Sequence, residues 1–308
     1  KIENPEGFYP ALLDIFTYDG TLYCPPKDFS TMGLQYNKDM FDAAGLEYPN
    51  SDWTWEDLRA AAEALTNKDA GVVGLVTPVN LERWMPFMYQ AGGAIFDEKG
   101  NFVMDSPETL KALELYIGMV QDGFAAPPAA LDAGWGGEAF GQGRAAMAME
   151  GGWVIKYLVE QFPELKWGIA ELPSGDAGKA TMAFTVCFGV AADNEYPDES
   201  WQLVNFLTGD EMQMQLGENG FGSMPARSAA ADAYRSAWKT QAEGTGFDGD
   251  VEAFFAGADY SHPWQLPVGW SAFTDNFNSN LQQAFDGQMS AQDVLDAAVQ
   301  VGEELMSK

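Results

Sequence analysis

Residues 54–76, TWEDLRAAAEALTNKDAGVVGLV, decide the class of fold. Thr54 is a helix N-cap residue, and Asp57 at the third helical position forms a weak capping box with it. Apolar side chains then recur on one helical face, at Trp55, Leu58, Ala62 and Leu65. After a polar turn, the stretch from Gly71 to Val76 is typical of a short β-strand. A helix followed by a short apolar strand predicts an α/β protein.

The same alternation continues along the chain. Caps and apolar periods predict three more helices, from Ser106 to Gly123, from Pro197 to Gly209, and from Ser290 toward the C-terminus. Short β-rich stretches lie between them, at Gly20 to Cys24, Lys166 to Ile169 and Ala183 to Ala191. The length predicts about two domains. Because neither a repeat nor a long linker marks a boundary, we expect strands or short turns to join them.

The charge balance excludes several partners. Sixteen Lys and Arg against 46 Asp and Glu give a net charge of −30. A chain this acidic is repelled by phosphate, so neither nucleic acid nor an anionic membrane surface is an expected partner. With 46% hydrophobic and 13% aromatic residues, the chain is too apolar for a disordered acidic tail. The acids are therefore interpreted as a solvated shell around a real core.

Motifs for catalysis or cofactor binding are weak. The single histidine, His262, cannot build a His-rich metal site, and its Pro- and Trp-rich turn favours a structural or ligand-lining role. Gly141-x-Gly143-x-x-Ala146 resembles a dinucleotide fingerprint but follows a helix-like stretch, whereas the fingerprint needs a preceding strand. The acidic run 248–252 lacks calcium-loop spacing and is interpreted as solvated. The sequence therefore predicts no cofactor and no metal.

Two cysteines, Cys24 and Cys187, leave two interpretations open. They could form a disulfide in an oxidising compartment or remain as two buried thiols in a reducing one. The sequence begins at Lys1 without an initiator Met or an apolar leader, so we expect that any targeting segment has been removed. No apolar run reaches the roughly 18 residues that a membrane span needs.

Tryptophan residues in predicted loops are candidates for ligand contact. Each stands near proline or glycine: Trp84 two residues before Pro86, Trp153 after Gly151-Gly152, and Trp270 after Gly269. Glycine beside tryptophan lets the backbone approach closely while the ring stands clear. A flat apolar ring with carboxylates nearby suits a sugar, because C–H faces stack on the ring while hydroxyls bond to the acids.

Four stretches carry a family resemblance, and they occur in order along the chain. They are Tyr36-Asn37-Lys38-Asp39-Met40-Phe41 with Trp53-Thr54-Trp55-Glu56, then Phe140 to Trp153, then Phe221 to Arg227, and then Gly287 to Leu295. Together they resemble signatures of the extracellular solute-binding proteins of carbohydrate ABC importers, the family of the maltose-binding protein. The resemblance implies a two-lobed α/β clamp that closes on a mono- or oligosaccharide and delivers it to a membrane permease. It implies binding without catalysis, by a monomer that is periplasmic or lipid-anchored at the cell surface.

The resemblance also implies where the lobes lie. One lobe would hold residues 1–32 and 185–226, the other residues 33–184 and 227–308, with hinge crossings near 30–34 and 183–189. Cys24 and Cys187 would then lie on neighbouring strands beside the hinge, which favours the disulfide. Family members usually have about a hundred residues before the point where this sequence begins, so we expect the N-terminal lobe to be incomplete. Residues facing the missing sheet would then be exposed or covered by a partner, as at Phe16, Leu22, Phe188 and Val190.

Within that frame, Trp153 is the expected main stacking platform, because it stands at a motif position where the resemblance implies a sugar-facing aromatic ring. The other candidate ligand-binding residues are Trp270, Trp84, Glu82, Arg83, Asp28, Ser30 and Glu150. Two alternatives stay open. Glu82 and Glu150 could be the paired carboxylates of a glycoside hydrolase, or the unpaired acids could attract a non-sugar ligand such as a polyamine.

Overall fold

The computed structural model describes residues 2–264 and 266–307. Its strands are β1 (Thr17–Tyr18), β2 (Thr21–Leu22), β3 (Pro26–Asn37), β4 (Val73–Val76), β5 (Ala125–Ala126), β6 (Ala145–Gly151), β7 (Trp167–Ala170), β8 (Thr181–Cys187), β9 (Met224–Pro225) and β10 (Ser261–Pro263). Its helices are α1 (Pro10–Ile15), α2 (Lys38–Ala44), α3 (Trp55–Leu65), α4 (Leu81–Ala91), α5 (Pro107–Gln121), α6 (Gly136–Gly141), α7 (Trp153–Gln161), α8 (Pro197–Thr208), α9 (Asp210–Glu218), α10 (Ala231–Gln241), α11 (Glu252–Gly257), α12 (Ser271–Phe285) and α13 (Ala291–Met306).

Strand β3 organises the main sheet. The strand order is β10-β8-β3-β6-β4-β5, with β7 and β9 also paired to β3, while β1 and β2 form a separate hairpin. Along β3 the partner changes between adjacent residues: Thr31 is opposite Ala183 of β8, and Met32 is opposite Gly151 of β6. One continuous strand therefore belongs to two differently paired halves of the sheet.

Two hydrophobic cores lie on opposite faces of the sheet. On β6, Met147 and Met149 pack into one core, whereas Ala148 between them packs into the other. This alternation is the two-residue period of a strand buried on both faces. Helices α3, α4, α5, α12 and α13 supply the first core, and α7, α10 and α11 contribute to the second.

The helix predictions are confirmed by α3, α5, α8 and α13, within two residues at each end that was predicted. Thr54 with Asp57 and Ser290 with Asp293 form capping boxes, and the Ser106 side chain accepts the Thr109 N–H. Strand ends were predicted less well. The stretch Gly20 to Cys24 pairs only at Thr21–Leu22, and β8 ends at Cys187, before the predicted Ala191.

The prediction that Trp84 lies in a loop is wrong. Asn80 caps α4 by accepting the Arg83 N–H, and the helix continues through Pro86 to Ala91. Trp84 is 0% exposed and packs on Phe277 with ring centroids 4.9 Å apart. An internal proline seldom lies in a helix, so its presence pointed to a loop that the tertiary packing does not form.

Two long-range contacts fasten the β3–β8–β9 half of the sheet. A disulfide joins Cys24 to Cys187, whose Cα atoms are 5.6 Å apart. Arg227, two residues after the end of β9, is 2% exposed and donates to the carbonyl oxygens of Thr208, Asn4 and Glu3. Segments that are more than 150 residues apart in sequence are therefore held beside β3.

The four apolar residues expected to face a missing sheet are half-buried. Phe16, Leu22, Phe188 and Val190 have intermediate exposure and belong to neither core. Helix α8 nearby in sequence leaves Leu203 and Phe206 each 57% exposed. The expectation that the N-terminal lobe is incomplete stays a prediction.

Helices of the described residues are all too short or too polar to cross a bilayer.

Candidate functional site

A cavity of about 470 Å³ opens where β3 and β8 meet the start of α7. Its wall combines seven aromatic or apolar residues with five polar ones. The lining residues are Ile15, Lys27, Asp28, Glu82, Trp153, Met182, Ala183, Phe184, Thr185, Val186, Ser223 and Trp264. The volume falls in the range typical of small-molecule sites.

Trp153 stands at the edge of this cavity because a strand ends there and a helix begins. Strand β6 ends at Gly151, and α7 begins at Trp153. A Cβ on Gly151 would lie 2.3 Å from Trp153 Cζ3, so the indole folds back over a position that only glycine can occupy. Trp153 also meets Phe184 edge to face, with centroids 5.3 Å apart. The half-buried indole is therefore held on two sides and borders the cavity on another.

Glu150 lies behind Trp153 and does not line the cavity. Its carboxylate Oε2 accepts the Trp153 indole N–H at 2.9 Å and an Arg83 Nη2 hydrogen at 2.8 Å. Its backbone N–H and carbonyl both bond to the side-chain amide of Gln35 on β3. Burial raises the pKa of Glu150, whereas the Arg83 charge and the two side-chain hydrogen bonds oppose that rise.

Asp28 and Ser30 lie two residues apart on β3, but they do different things. Asp28 lines the cavity beside its ion-pair partner Lys27, and burial raises the pKa of its carboxyl against the effect of that lysine. Ser30 Oγ accepts the Gly152 N–H at 2.7 Å and donates to the Thr31 carbonyl at 2.9 Å. Ser30 therefore holds the turn before Trp153, while Asp28 borders the cavity.

Five of the eight predicted ligand-binding residues gather around the cavity wall: Asp28, Glu82 and Trp153 line it, and Arg83 and Glu150 lie behind Trp153. Trp84 and Trp270 do not join them. Trp84 is inside the core, and its indole N–H has no acceptor among the described residues. Trp270 is 6% exposed and packs against Phe96, Phe102 and Phe273.

The other sequence motifs have structural roles. His262 on β10 stacks on Tyr89 with ring centroids 3.8 Å apart, and burial lowers the pKa of the imidazole. Gly141 ends α6, and Gly143 turns at φ 70° into β6, so helix precedes strand where a dinucleotide fingerprint needs the reverse. Within residues 2–264 and 266–307, no cluster of three or more His, Cys, Asp or Glu could hold a metal ion.

Sequence reasoning missed several wall residues, and most stood next to features that it noted. Phe184 lies in the predicted second hinge, Ser223 within the Phe221 to Arg227 motif, and Trp264 directly after His262-Pro263. Ile15 and Lys27 had no local signal, because only the packing of α1 and β3 brings them to the cavity.

The fold and the sequence agree with those of a known family. Residues 1–245 match the family model described as bacterial extracellular solute-binding protein. The chain therefore belongs to the bacterial extracellular solute-binding proteins, of the maltose-binding-protein type that the sequence motifs indicated.

Three relatives show how far the similarity extends. A Listeria monocytogenes ABC substrate-binding protein, solved in complex with cycloalternan, is 28% identical with a TM-score of 0.89, over 99% of this chain and 77% of that one. A Thermotoga lettingae ABC transporter solute-binding protein bound to α-D-tagatose is 24% identical with a TM-score of 0.81, over 98% and 77%. A Brucella abortus binding protein whose name states no ligand is 24% identical over 98% of this chain and 72% of its own length.

Proposed function

We propose that this protein binds a carbohydrate in the cavity beside Trp153 and delivers it to an ABC transporter permease. The observation that carries the proposal is the combination, in one cavity, of a half-buried indole, two carboxylates and a hydroxyl. The indole belongs to Trp153, the carboxylates to Asp28 and Glu82, and the hydroxyl to Ser223. A sugar needs an apolar platform for its C–H face and oxygen acceptors for its hydroxyls.

The ligand class is also supported by similarity. The Listeria monocytogenes protein, which was solved in complex with cycloalternan, is 28% identical and aligns with 99% of this chain. We therefore favour an oligosaccharide or monosaccharide over the polyamine alternative. We further propose that the protein acts as a monomer outside the cytoplasm, periplasmic or lipid-anchored, and does not bind nucleic acid.

The proposed motion is a hinge closure. The lobes would be residues 1–32 with 185–226 and residues 33–184 with 227–308, joined near 30–34 and 183–189. The change of partner on β3 between Thr31 and Met32 supports the first crossing. The second is supported by β8, which pairs with β10 up to Ala183 and with β3 from Ala183 onward. A ligand that contacts both lobes would select the closed state.

Isothermal titration calorimetry against maltose, cycloalternan, α-D-tagatose and lactose tests the proposal. We expect at least one sugar to bind, and Trp153→Ala to weaken that binding by about 1–3 kcal/mol because a buried aromatic contact is lost. Trp84→Phe is the matched control, since Trp84 is in the core and away from the cavity. Unchanged affinity in Trp153→Ala, or failure of every sugar, would contradict the proposal.

Two further experiments distinguish carbohydrate binding from the polyamine and hydrolase interpretations. Calorimetry with spermidine tests the polyamine interpretation. If spermidine binds and the sugars do not, the ligand is a polyamine and the carbohydrate proposal is wrong. Chromogenic glycosides test the hydrolase interpretation. We expect no release of product, because the Glu150 carboxylate of the postulated pair is already bonded to Arg83 and Trp153.

A further inference from the structure

The indole of Trp153 is oriented by polar contacts as well as by packing. Its N–H donates to Glu150 Oε2 at 2.9 Å, and the same oxygen accepts from Arg83 Nη2 at 2.8 Å. The Arg83 guanidinium carbon lies 5.3 Å from the Trp153 ring centroid and 5.3 Å from the Phe184 ring centroid. Arg83 is therefore close to both rings that border this side of the cavity.

Glu150 is itself fixed and out of reach of a ligand. It is 1% exposed, and its main chain is held in both directions by the Gln35 side chain. A Cβ on Gly136 would lie 2.6 Å from Glu150 Oε1, so the carboxylate fills the space that a glycine leaves at the start of α6. The buried carboxylate accepts from a guanidinium and from an indole N–H. It is a rigid anchor, because moving it would leave a buried charge without hydrogen-bond donors.

We propose that Glu150 and Arg83 are positioning residues that set the orientation of the Trp153 indole for ligand stacking, and that neither contacts the ligand. The role in ligand stacking rests on the proposed function, but the orientation of the indole can be measured without any ligand. It reassigns Glu150 and Arg83 from candidate ligand-binding residues to supports of the Trp153 indole.

The charges around the carboxylate define its pH response. Arg83 and Glu82 belong to α4. The hydroxyl of Tyr116 on α5 interacts electrostatically with Arg83, Glu150 and Glu82. Burial raises the pKa of Glu150, and Arg83 opposes the rise. Lowering the pH through this pKa neutralises the acceptor, so its hydrogen bond to the Trp153 indole weakens.

The test observes the indole N–H signals of the ¹⁵N-labelled full chain without ligand. Trp153→Phe identifies the Trp153 signal among the ten tryptophans. We expect Glu150→Gln to shift that signal upfield and to abolish its movement between neutral and acidic pH, because the ionised acceptor is gone. Arg83→Lys should broaden or shift it, since lysine keeps the charge but loses the planar group beside the two rings.

Glu160→Gln is the matched control, because Glu160 is an exposed glutamate on the same helix as Trp153. It should leave the signal in place. A Trp153 signal that is the same in wild type and Glu150→Gln would overturn the proposal. So would a Glu150→Gln variant that loses maltose binding while its Trp153 signal is unmoved, because Glu150 would then act on the ligand directly.

Calorimetry with maltose and cycloalternan links orientation to binding. We expect Glu150→Gln to lower affinity about 3- to 10-fold, the equivalent of one net hydrogen bond, and less than Trp153→Ala does. If neither sugar binds to the wild type, the proposed function fails for these ligands. The indole signals still decide whether Glu150 and Arg83 position Trp153, so the two failures are distinguishable.

Discussion

Arg227 is a buried cation, and each of its three guanidinium nitrogens donates within the chain. Its Nε donates to the Thr208 carbonyl at 2.6 Å, and Nη1 and Nη2 donate to the Asn4 and Glu3 carbonyls at 2.8 Å. Asp210 Oδ1 lies 2.7 Å from Nη1. The motif arginine therefore fastens the N-terminal segment to the end of α8, which explains why this position needs a planar group with several donors.

Replacing Arg227 by lysine should destabilise the protein. We expect Arg227→Lys to lower the free energy of unfolding by about 2–4 kcal/mol, because lysine cannot bind three carbonyls at once and leaves the buried Thr208 carbonyl or its partners without a donor. Urea unfolding followed by circular dichroism measures the change. Arg144→Lys is the control: this arginine is exposed and 3.8 Å from Asp132, so a change below about 0.5 kcal/mol is expected. Equal losses in the two variants would refute the role of Arg227.

At the residue scale, a local motif singles out Trp153, whose role in ligand binding stays a prediction. Trp153 follows Gly151-Gly152, and the structure has its ring at the cavity edge. Trp84 looked similar because Pro86 follows it, but the Asn80 cap and the core contact with Phe277 draw it into a helix. Whether a tryptophan is buried in the core or borders the cavity depends on a partner such as Phe277, which is far away in the sequence.

At the scale of elements, α3 and β4 pack backbone to backbone. A Cβ on Gly74 would lie 2.0 Å from the Ala62 carbonyl oxygen and 2.3 Å from its Cα. Neither neighbour is a flexible side chain, so no small movement can make room. The helix and strand of residues 54–76 are therefore a unit whose spacing depends on one glycine.

Gly74→Ala should therefore be costly. We expect it to lower the free energy of unfolding by at least about 2 kcal/mol through overpacking. Gly118→Ala is the control, because this glycine is inside α5 with nothing within 4 Å of the added Cβ. That variant should gain about 0.5–1 kcal/mol from helix propensity. Denaturant unfolding of both variants gives the comparison, and a harmless Gly74→Ala would contradict the close packing.

The disulfide joins the segment before β3 to the end of β8, with a sequence separation of 163. Cross-links that close long loops restrict the unfolded chain, so we expect reduction to lower the free energy of unfolding by about 2–5 kcal/mol. Urea unfolding with and without dithiothreitol measures it. The double variant Cys24→Ala with Cys187→Ala should have the same free energy of unfolding as the reduced protein, and dithiothreitol should not change it. Two free thiols in the unreduced, denatured protein would contradict the bond.

At the scale of the whole molecule, the net charge of −30 acts on every compact state. Ion pairs such as Lys38–Asp248 neutralise some of the acids, but acids outnumber cations 46 to 16, so there are too few cations to pair with most of them. Like charges at high density repel each other and destabilise the folded chain. Salt shortens the range of this repulsion from about 30 Å at 0.01 M to about 3 Å at 1 M.

The melting temperature should consequently rise with salt. We expect an increase between about 0.01 M and about 1 M NaCl, because screening removes more repulsion from the compact state than from the unfolded chain. Differential scanning calorimetry measures it. A variant with Glu63, Glu114, Glu218 and Glu243 replaced by glutamine carries four fewer charges at exposed positions and should gain less from the same salt. A flat or falling melting temperature in the wild type would contradict the prediction.

The sequence by itself determined the α/β class, four helices, the capping residues of three of them, and the family. It also singled out Trp153 for a role in ligand binding that stays a prediction. These features depend on local periodicity, capping residues and short motifs, which a linear pattern contains. Tertiary structure decided the rest. It buried Trp84 and Trp270, placed Glu150 and Arg83 behind Trp153, and brought Ile15 and Lys27 to the cavity. Those outcomes depend on which segments meet across the sheet, and the contacts that decide them join residues far apart in the chain.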